Sequence, residues 1–364
     1  MKGASEQKSP TVDLLIKAGL AALVVLVLFG ATKVYDILYG PNEFSGVDKK
    51  TFYVSQGQSF ASIVDSLEAS GIIRSRPLFV FVAKLFGGSN RIKIGKYEFP
   101  SGISNLDLFF SIREGRKKML IPVTLNEGLR ASRFAAILSR EAGIDSARYI
   151  ELVNDERFAR SLGIGRSSLE GYLMPETYYL QWQEEEEDIL KQQVRQFKRA
   201  YDDSLSARAS TLGFSMHEAV TLASIIEGEV VLDEERERIS GVYHNRLRKG
   251  MLLQADPTIQ YFIENGPRRV RYSDLRINHP YNTYRMKGLP PGPVNNPGRA
   301  SLVAALYPEK HNYLYFVANW KGGHWFSSSY AEHLRYVRMH RRVRGERQSQ
   351  SAAESLSGVA PKGS

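Results

Sequence analysis

Between Leu14 and Thr32 the chain is apolar apart from Lys17, and a run of this kind has to be covered by protein or by lipid. Nineteen helical residues at 1.5 Å each span roughly 28 Å, close to the ~30 Å hydrocarbon core of a bilayer. Lys17 can carry its ammonium to the interface while its stem stays in apolar surroundings. No small-x-small cleavage site follows, since Gly30-Ala31-Thr32 runs straight into Lys33; this favours an uncleaved single-pass anchor over a removed signal peptide. Lys2 and Lys8 precede the span and Lys17 lies near its start, whereas Lys33 follows it together with Asp36 and Glu43. The expected orientation therefore has residues 1–13 in the cytoplasm, residues 14–32 in the membrane and the body outside.

That body is long enough for two or three globular units, the whole chain being 364 residues, 43% hydrophobic and 24% charged. It has no cysteine, which excludes thiol nucleophiles, thiolate metal sites and disulfides. The formal net charge is +10. Residues 1–50 hold six Lys against five acids and so supply +1, leaving the excess on the body and tail. Such a surface suits nucleic acid, anionic lipid or an acidic polymer, and charge alone does not choose between them.

After a linker over residues 33–50, Thr51 to Val54 alternates as a strand does and Gly57 turns the chain. Ser59 then caps a helix carrying Phe60, Ile63, Val64 and Leu67 on one face. Pro77 opens a second helix, Gly87-Gly88 breaks it, and Ile92 to Phe99 returns as a strand. A partial echo follows, with a strand from Ile121 to Leu125, a turn at Gly128 and a helix burying Phe134, Ile137 and Leu138; Val54-x-x-Gly57 and Leu125-x-x-Gly128 read as a degenerate repeat. Glu184 to Asp188 places five acids at the start of a helix that runs through Tyr201, where they complement its dipole. Asp233 to Arg248 reads as a further helix, Tyr313 to Ala318 and His324 to Phe326 as paired strands, and Tyr330 to Arg344 as a terminal helix. The tail from Gly345, rich in Ser, Gln and Gly, is expected to be disordered. The segments 278–284 and 288–298 are too rich in Pro, Gly and Asn for regular structure, and ordered loops of that length are usually functional.

The chemistry centres on residues 215–261. Ser215 and Glu218 form a capping-box start, and Ala219, Val220, Leu222, Ala223, Ile225 and Ile226 continue as a buried helix that delivers Glu227 about three turns in. Ala219, Ala223 and Glu227 share one face at i, i+4 and i+8, which leaves room beside the carboxyl for a bulky ligand. A glutamate at its usual pKa of roughly 4.3 is about 0.2% protonated at pH 7, whereas an apolar pocket that lifts the pKa to about 6 keeps about 10% proton-loaded, as a general acid requires. The alternative is a helix-end glutamate facing water with Gly228 as C-cap. Two further carboxylates belong to the same question. Asp256 either acts in the site or caps the helix before Pro257, and Glu170 either acts there or faces water.

Other chemistries are missing. His217-Glu218 opens like a zincin motif, but the second His position is Thr221. No Gly-Lys-Ser phosphate loop, Gly-x-Ser-x-Gly elbow or ligand-spaced histidines occur, and no nucleic-acid recognition motif is present. A carboxyl in a polar, aromatic groove makes glycosidic bond cleavage the natural reaction class.

Seven ordered segments carry a resemblance. They are Ala223-Ser224-Ile225-Ile226-Glu227, Tyr243-x-Asn245-Arg246-Leu247, Leu253-Gln254-x-Asp256-Pro257-Thr258, Pro280-Tyr281-Asn282-Thr283-Tyr284, Leu289-Pro290-Pro291-Gly292-Pro293, Asn296-Pro297-Gly298 and Tyr313-Leu314-Tyr315-Phe316. Together they resemble the endolytic murein transglycosylases of the YceG-like family, from about Thr51 to about Arg338. The resemblance implies an α+β protein with an inner-membrane anchor, a LysM-like strand-helix-helix-strand subdomain over residues 51–115, and a mixed α+β catalytic domain in the periplasm over residues 116–344, ahead of a tail over 345–364. It places the family's catalytic glutamate on Glu227; members often carry Lys-Glu where this chain has Gly228-Glu229.

The implied reaction cuts peptidoglycan glycan strands without water, and one carboxyl suffices because the sugar's own C6 hydroxyl closes a 1,6-anhydro ring. On this reading Asn245, Gln254, Thr258, Asn282 and Asn296 bind sugar hydroxyls and acetamido groups, and Tyr261 and Tyr284 stack on sugar faces. Asp256 or Glu170 stabilises developing positive charge. Neither cofactor nor metal is implied, and nucleic acid is not an expected partner. The resemblance also implies proximity to the peptidoglycan synthases of the elongation machinery, a partner that no residue here identifies. Two alternatives stay open: a hydrolase in which Glu227 works with Glu170 or Asp256 and water, and a non-catalytic wall-binding scaffold.

Overall fold

The computed structural model describes residues 10–88, 92–264, 266 and 268–357, and these fall into two compact units. Unit 1 comprises the described residues up to Ile121 together with the later segment Tyr179–Gln183; unit 2 comprises Pro122–Tyr178 and the described residues from Glu184 onward. The expected cytoplasmic segment 1–13 lies outside the described residues up to position 9.

Unit 1 begins with α1 (Pro10–Tyr39), followed by β1 (Pro41–Asn42), β2 (Lys49–Val54), α2 (Phe60–Ala69), α3 (Arg76–Leu85), β3 (Gly95–Pro100), β4 (Ile103–Ser104), α4 (Asn105–Glu114) and β5 (Lys118–Met119). The expected strand-helix-helix-strand order is present as β2-α2-α3-β3. β3 lies between β2 and β5 in an antiparallel sheet, with Val54 opposite Gly95 and Lys49 opposite Pro100. Ser59 caps α2 as its sequence requires, its side chain accepting from the Ser62 N–H at 3.1 Å. Val64, Leu67, Phe79, Val82, Tyr97 and Phe109 are fully buried between the helices and the sheet. Trp182, from the returning segment, donates its indole N–H to the Ser55 hydroxyl and packs on Tyr53 at 4.6 Å between ring centroids.

The expected linker over residues 33–50 is instead structured. α1 continues to Tyr39, and β1 follows within two residues. Asn42 is buried, with Nδ2 donating to the Ile103 carbonyl (2.9 Å) and Asn105 Oδ1 (3.1 Å), and Phe44 joins the core. The cause is local: an apolar ring and a side-chain amide able to serve the β4 backbone hold the strand that composition alone reads as linker.

Unit 2 contains most of β6 (Ile121–Thr124), then α5 (Ala131–Ala142), α6 (Ser146–Val153), α7 (Glu156–Ser161), the first half of β7 (Thr177–Leu180), α8 (Glu186–Ala200), α9 (Asp203–Thr211), α10 (Met216–Glu229), α11 (Arg236–Arg248), α12 (Asp256–Phe262), α13 (Arg299–Leu306), β8 (Tyr315–Ala318), β9 (His324–Ser327) and α14 (Tyr330–Ser357). β6 pairs with β7, and β8 pairs antiparallel with β9, with Ala318 opposite His324. The helix expected from Asp233 starts as a short 3-10 turn over Asp233–Glu235 and becomes regular at Arg236. α14 extends to Ser357, past the Gly345 boundary where disordered chain was expected, because the Glu, Gln, Ala and Leu of that stretch are sound helix formers; residues 358–364 lie outside the described residues. Residues 278–298 contain neither helix nor strand, as their composition indicates.

α10 organises unit 2. Its capping box is complete, with Ser215 Oγ accepting from the Glu218 N–H and the Glu218 carboxylate accepting from the Ser215 N–H at 2.8 Å. It packs against α9, α11, α12 and α13, so Ala219 to Ile226 are buried without a break.

In unit 1, Phe109 packs edge-on against Phe79 with 6.4 Å between centroids. Phe109→Ala should lower the stability of that unit by about 3–5 kcal/mol. Urea unfolding followed by Trp182 fluorescence, with Trp320 and Trp325 changed to Phe, measures it.

Candidate active site

The phase that the capping box imposes on α10 decides which acid meets which surroundings. At 100° per residue, positions two apart point roughly 200° away from each other. Glu227 and Glu229 therefore leave opposite faces of the last turn.

Glu227 faces loop and helix backbone. Its side chain is 8% exposed, and Oε2 accepts from Arg236 Nη1 at 3.3 Å and from the Gly298 N–H at 3.0 Å. Arg236 also bonds Asp233 Oδ1 at 2.6 Å and the Ser301 hydroxyl. The small-residue face is closed: Ala219 and Ala223 are buried, so it is a packing seam rather than room for a ligand. Glu127, which sequence reasoning missed, lies beside this node, against the Cα of Gly298. Burial holds its carboxyl above the usual range, and repulsion from Glu227 adds to the effect. The repeat segment Leu125-x-x-Gly128 marked the turn that places it there: Gly128, at φ +73°, sits against the Glu227 side chain.

Glu229 lines a cleft of about 670 Å³. Its Oε1 accepts from the Tyr243 hydroxyl (3.2 Å) and from the Asp256 N–H (3.1 Å), while Oε2 makes no hydrogen bond among the described residues. Burial pushes this carboxyl up to about 7, reinforced by repulsion from Asp256 and opposed by its two hydrogen bonds and by Arg246. The surroundings expected for Glu227 are found here. Gln254, Asp256 and Tyr284 line the same cleft, and the Tyr284 hydroxyl donates to Asp256 Oδ1 at 2.6 Å. Asp256 is the first residue of α12 and does not cap it; its side chain goes to Tyr284. Arg246 is buried, donating to the Leu314 and Leu253 carbonyls at 2.6 Å each, and its guanidinium lies 5.4 Å from the Tyr315 ring centroid. Tyr315 to Ala318 and the α14 residues Tyr330, His333, Leu334, Val337 and Arg341 complete the walls. At Gly228, between the two acids, an added Cβ would lie 2.6 Å from Pro257 Cγ. Glycine here lets Pro257, and with it the Asp256 N–H, sit against the last turn.

Besides Glu227, six of the expected site residues lie outside this cleft. Asn245 Nδ2 donates to the His311 and Tyr313 carbonyls, both at 2.9 Å. Thr258 is buried, donating to the Ala255 carbonyl and bonded to the Thr283 hydroxyl. Asn282 Nδ2 donates to the Leu275 and Ile277 carbonyls. Tyr261 stacks on Tyr281 at 4.5 Å beneath the Arg130 guanidinium. Asn296 accepts from the Gly171 and Leu173 N–H groups and donates to the Leu129 carbonyl and to Glu170 Oε1. Glu170 also accepts from the Ala131 N–H at the start of α5, and burial raises its carboxyl to about 7. Glu170 thus matches Glu229 in proton affinity but not in access, since it does not line the cleft. Tyr243, Arg246 and Glu229 were the missed members; Tyr243 and Arg246, at i and i+3 on α11, share one face. No cluster of His, Cys, Asp or Glu able to hold a metal ion occurs among the described residues.

A mixed α+β fold whose buried central helix ends in a proton-retaining carboxyl, open to a cleft of amide, carboxylate and tyrosine groups, defines a class of single-carboxyl acid–base sites. The model of the YceG-like family matches residues 52–339, and the chain belongs to that family. It is 31% identical over 316 residues to the endolytic murein transglycosylase of Bacillus subtilis, covering 81% of this chain and 87% of that protein. To the endolytic murein transglycosylase of Streptococcus pneumoniae it is 27% identical over 360 residues, covering 88% of this chain and 64% of the relative. A solved YceG-like protein from Listeria monocytogenes shares 30% identity at a TM-score of 0.59, over 79% of this chain and 98% of that one.

Asn296→Ala would leave the Gly171 and Leu173 N–H groups and Glu170 without their partner. It should cost about 2 kcal/mol or more of stability, whereas Tyr284→Phe, on the cleft wall, should cost under about 1 kcal/mol. Paired urea titrations separate the two.

Proposed function

We propose that the chain is a lytic transglycosylase that cuts within peptidoglycan glycan strands at the β-1,4 bond between N-acetylmuramic acid and N-acetylglucosamine, and that Glu229 is its general acid. The observation that carries this reading is the Glu229 carboxyl itself, raised to about 7 in a cleft lined by Gln254, Asp256 and Tyr284. The relatives' activity supports the reaction class.

Protonated Glu229 gives its proton to the bridging oxygen, and the bond to the muramyl anomeric carbon breaks with oxocarbenium-like charge at that carbon. Asp256, fixed by Tyr284 on the same wall, stabilises that charge, and Gln254 supplies an amide for sugar hydroxyls or an acetamido group. The Glu229 carboxylate then takes the proton of the same sugar's C6 hydroxyl as its oxygen closes on the anomeric carbon. The products are a 1,6-anhydro end and a new free 4-hydroxyl; the proton borrowed from Glu229 is returned and no water is consumed. Tyr243 and the Asp256 N–H keep Oε1 in place through both transfers. Glu227 has a different task, tying Arg236 and Gly298 to the last turn of α10.

The setting is that of a single-pass inner-membrane protein. α1 contains one helix long and apolar enough to span a bilayer, Leu14–Tyr39, and a body on the periplasmic side gives the cleft its substrate. The β2-α2-α3-β3 order supports reading unit 1 as a LysM-like wall-binding subdomain. Cutting beside the membrane would limit the length of nascent strands and bring the protein close to elongation synthases.

Full-length protein in detergent should release internal glycan fragments whose 1,6-anhydro ends are one water lighter than hydrolytic ends. Glu229→Gln should slow release by about a thousandfold or more, and Glu227→Gln by less than about tenfold at equal folded protein. The reverse order would return the acid role to Glu227, and glycan bound but uncut would favour a scaffold.

The rate should also fall about tenfold per pH unit above pH 7, as Glu229 loses its proton. A carboxyl that ionises near 7 when folded and near 4.5 when unfolded contributes stability that is full below 4.5 and declines as pH rises to about 7. The stability contribution should therefore be lost between about pH 4.5 and 7 and the rate should fall above 7, and a rate that rises steadily from pH 6 to 9 would exclude Glu229 as the acid.

A further inference from the structure

Unit 1 carries an apolar stripe that neither its core nor the cleft chemistry uses. Leu78, Phe81 and Leu85, at i, i+3 and i+7 on α3, are 40%, 46% and 55% exposed, while Phe79, Val82 and Ala83 on the other face are buried. The helix is amphipathic twice over, with one apolar face in the core and a second in the open. α3 also packs against α1. Ile37 and Leu38, near the end of α1, join the core of unit 1, and the Asn105 side-chain amide donates to the Ile37 carbonyl at 2.9 Å. The apolar span thus runs as one unbroken helix into the unit that bears the stripe.

Charge accompanies the apolar face. Arg74 and Lys84 flank it, both exposed and neither in an ion pair among the described residues, whereas Arg76 is paired with Asp65 at 2.6 Å. Residues 40–121 of the sequence hold twelve Lys and Arg against seven Asp and Glu, a net +5. An exposed apolar stripe edged by unpaired cations is the pattern of a helix lying in a bilayer's interface, with side chains among the acyl ends and cations at anionic headgroups.

We infer that Leu78, Phe81 and Leu85 rest in the headgroup–acyl boundary of the leaflet from which α1 emerges, making α3 a second, in-plane contact with anionic lipid. The inference depends on the reading of α1 as a membrane span.

The chain has no cysteine, so single nitroxide-labelled cysteines report one position at a time. The full chain would be placed in phosphatidylethanolamine vesicles containing a minority of phosphatidylglycerol, with labels at Phe81→Cys, Leu85→Cys and, as an exposed reference on α9, Ala207→Cys. Positions 81 and 85 should be severalfold less accessible to an aqueous nickel complex than position 207, and more accessible to oxygen. Nickel access at 81 equal to that at 207, in protein that resists carbonate extraction, overturns the proposal and leaves the span intact. Protection that disappears on dilution into excess lipid assigns the stripe to a second copy of the chain and equally overturns it. Extraction of the chain by carbonate removes the span reading and this one with it.

Discussion

Two hydrogen bonds between Ser215 and Glu218 set where α10 begins, and everything chemical at its far end inherits that phase. As built, Glu227 closes on Arg236 and the Gly298 N–H, and Glu229 closes on Tyr243 and the Asp256 N–H. The central helix is thereby both the core of unit 2 and the ruler that sends Glu227 to Arg236 and Gly298 and Glu229 to the cleft.

Three acids of unit 2 share desolvation but differ in what surrounds them. Glu170 is enclosed by the start of α5 and by Asn296, away from the cleft. Glu127 lies against Gly298 beside Glu227, where repulsion raises it. Glu229 alone among them combines a carboxyl near 7 with an oxygen free of hydrogen bonds and a cleft wall. Proton affinity by itself would have nominated two groups, and access chooses one of them.

Much of this was legible beforehand. The apolar N-terminal run, the β2-α2-α3-β3 order, the capping box and the acid-bearing end of α10 follow from periodicity and caps, and the ordered motifs pointed to the family. What the sequence could not separate was two uses of the same residue types. Small residues at i and i+4 suit an open ligand face and a close helix-packing seam equally, and Ala219 and Ala223 serve the seam. Asparagines suit sugar binding and loop bracing equally. Residues 278–298 and 311–313 have no ladder to satisfy their backbone groups or those of their neighbours, so Asn245, Asn282 and Asn296 supply the missing partners. The linker expected before Thr51 failed for a related reason: one buried amide, Asn42, and one ring, Phe44, suffice to fix a short strand that composition does not register.

The return of Tyr179–Gln183 to unit 1 has an evolutionary consequence. A module encoded by one contiguous stretch can travel between proteins as a bead on a string, because one cut at each end frees it whole. Here Trp182, which bonds Ser55 and packs on Tyr53, is encoded more than a hundred residues after the strand it packs on. No single contiguous stretch of gene specifies unit 1 without also specifying part of unit 2. A recombination event that transferred only the stretch ending at Ile121 would leave Trp182 behind.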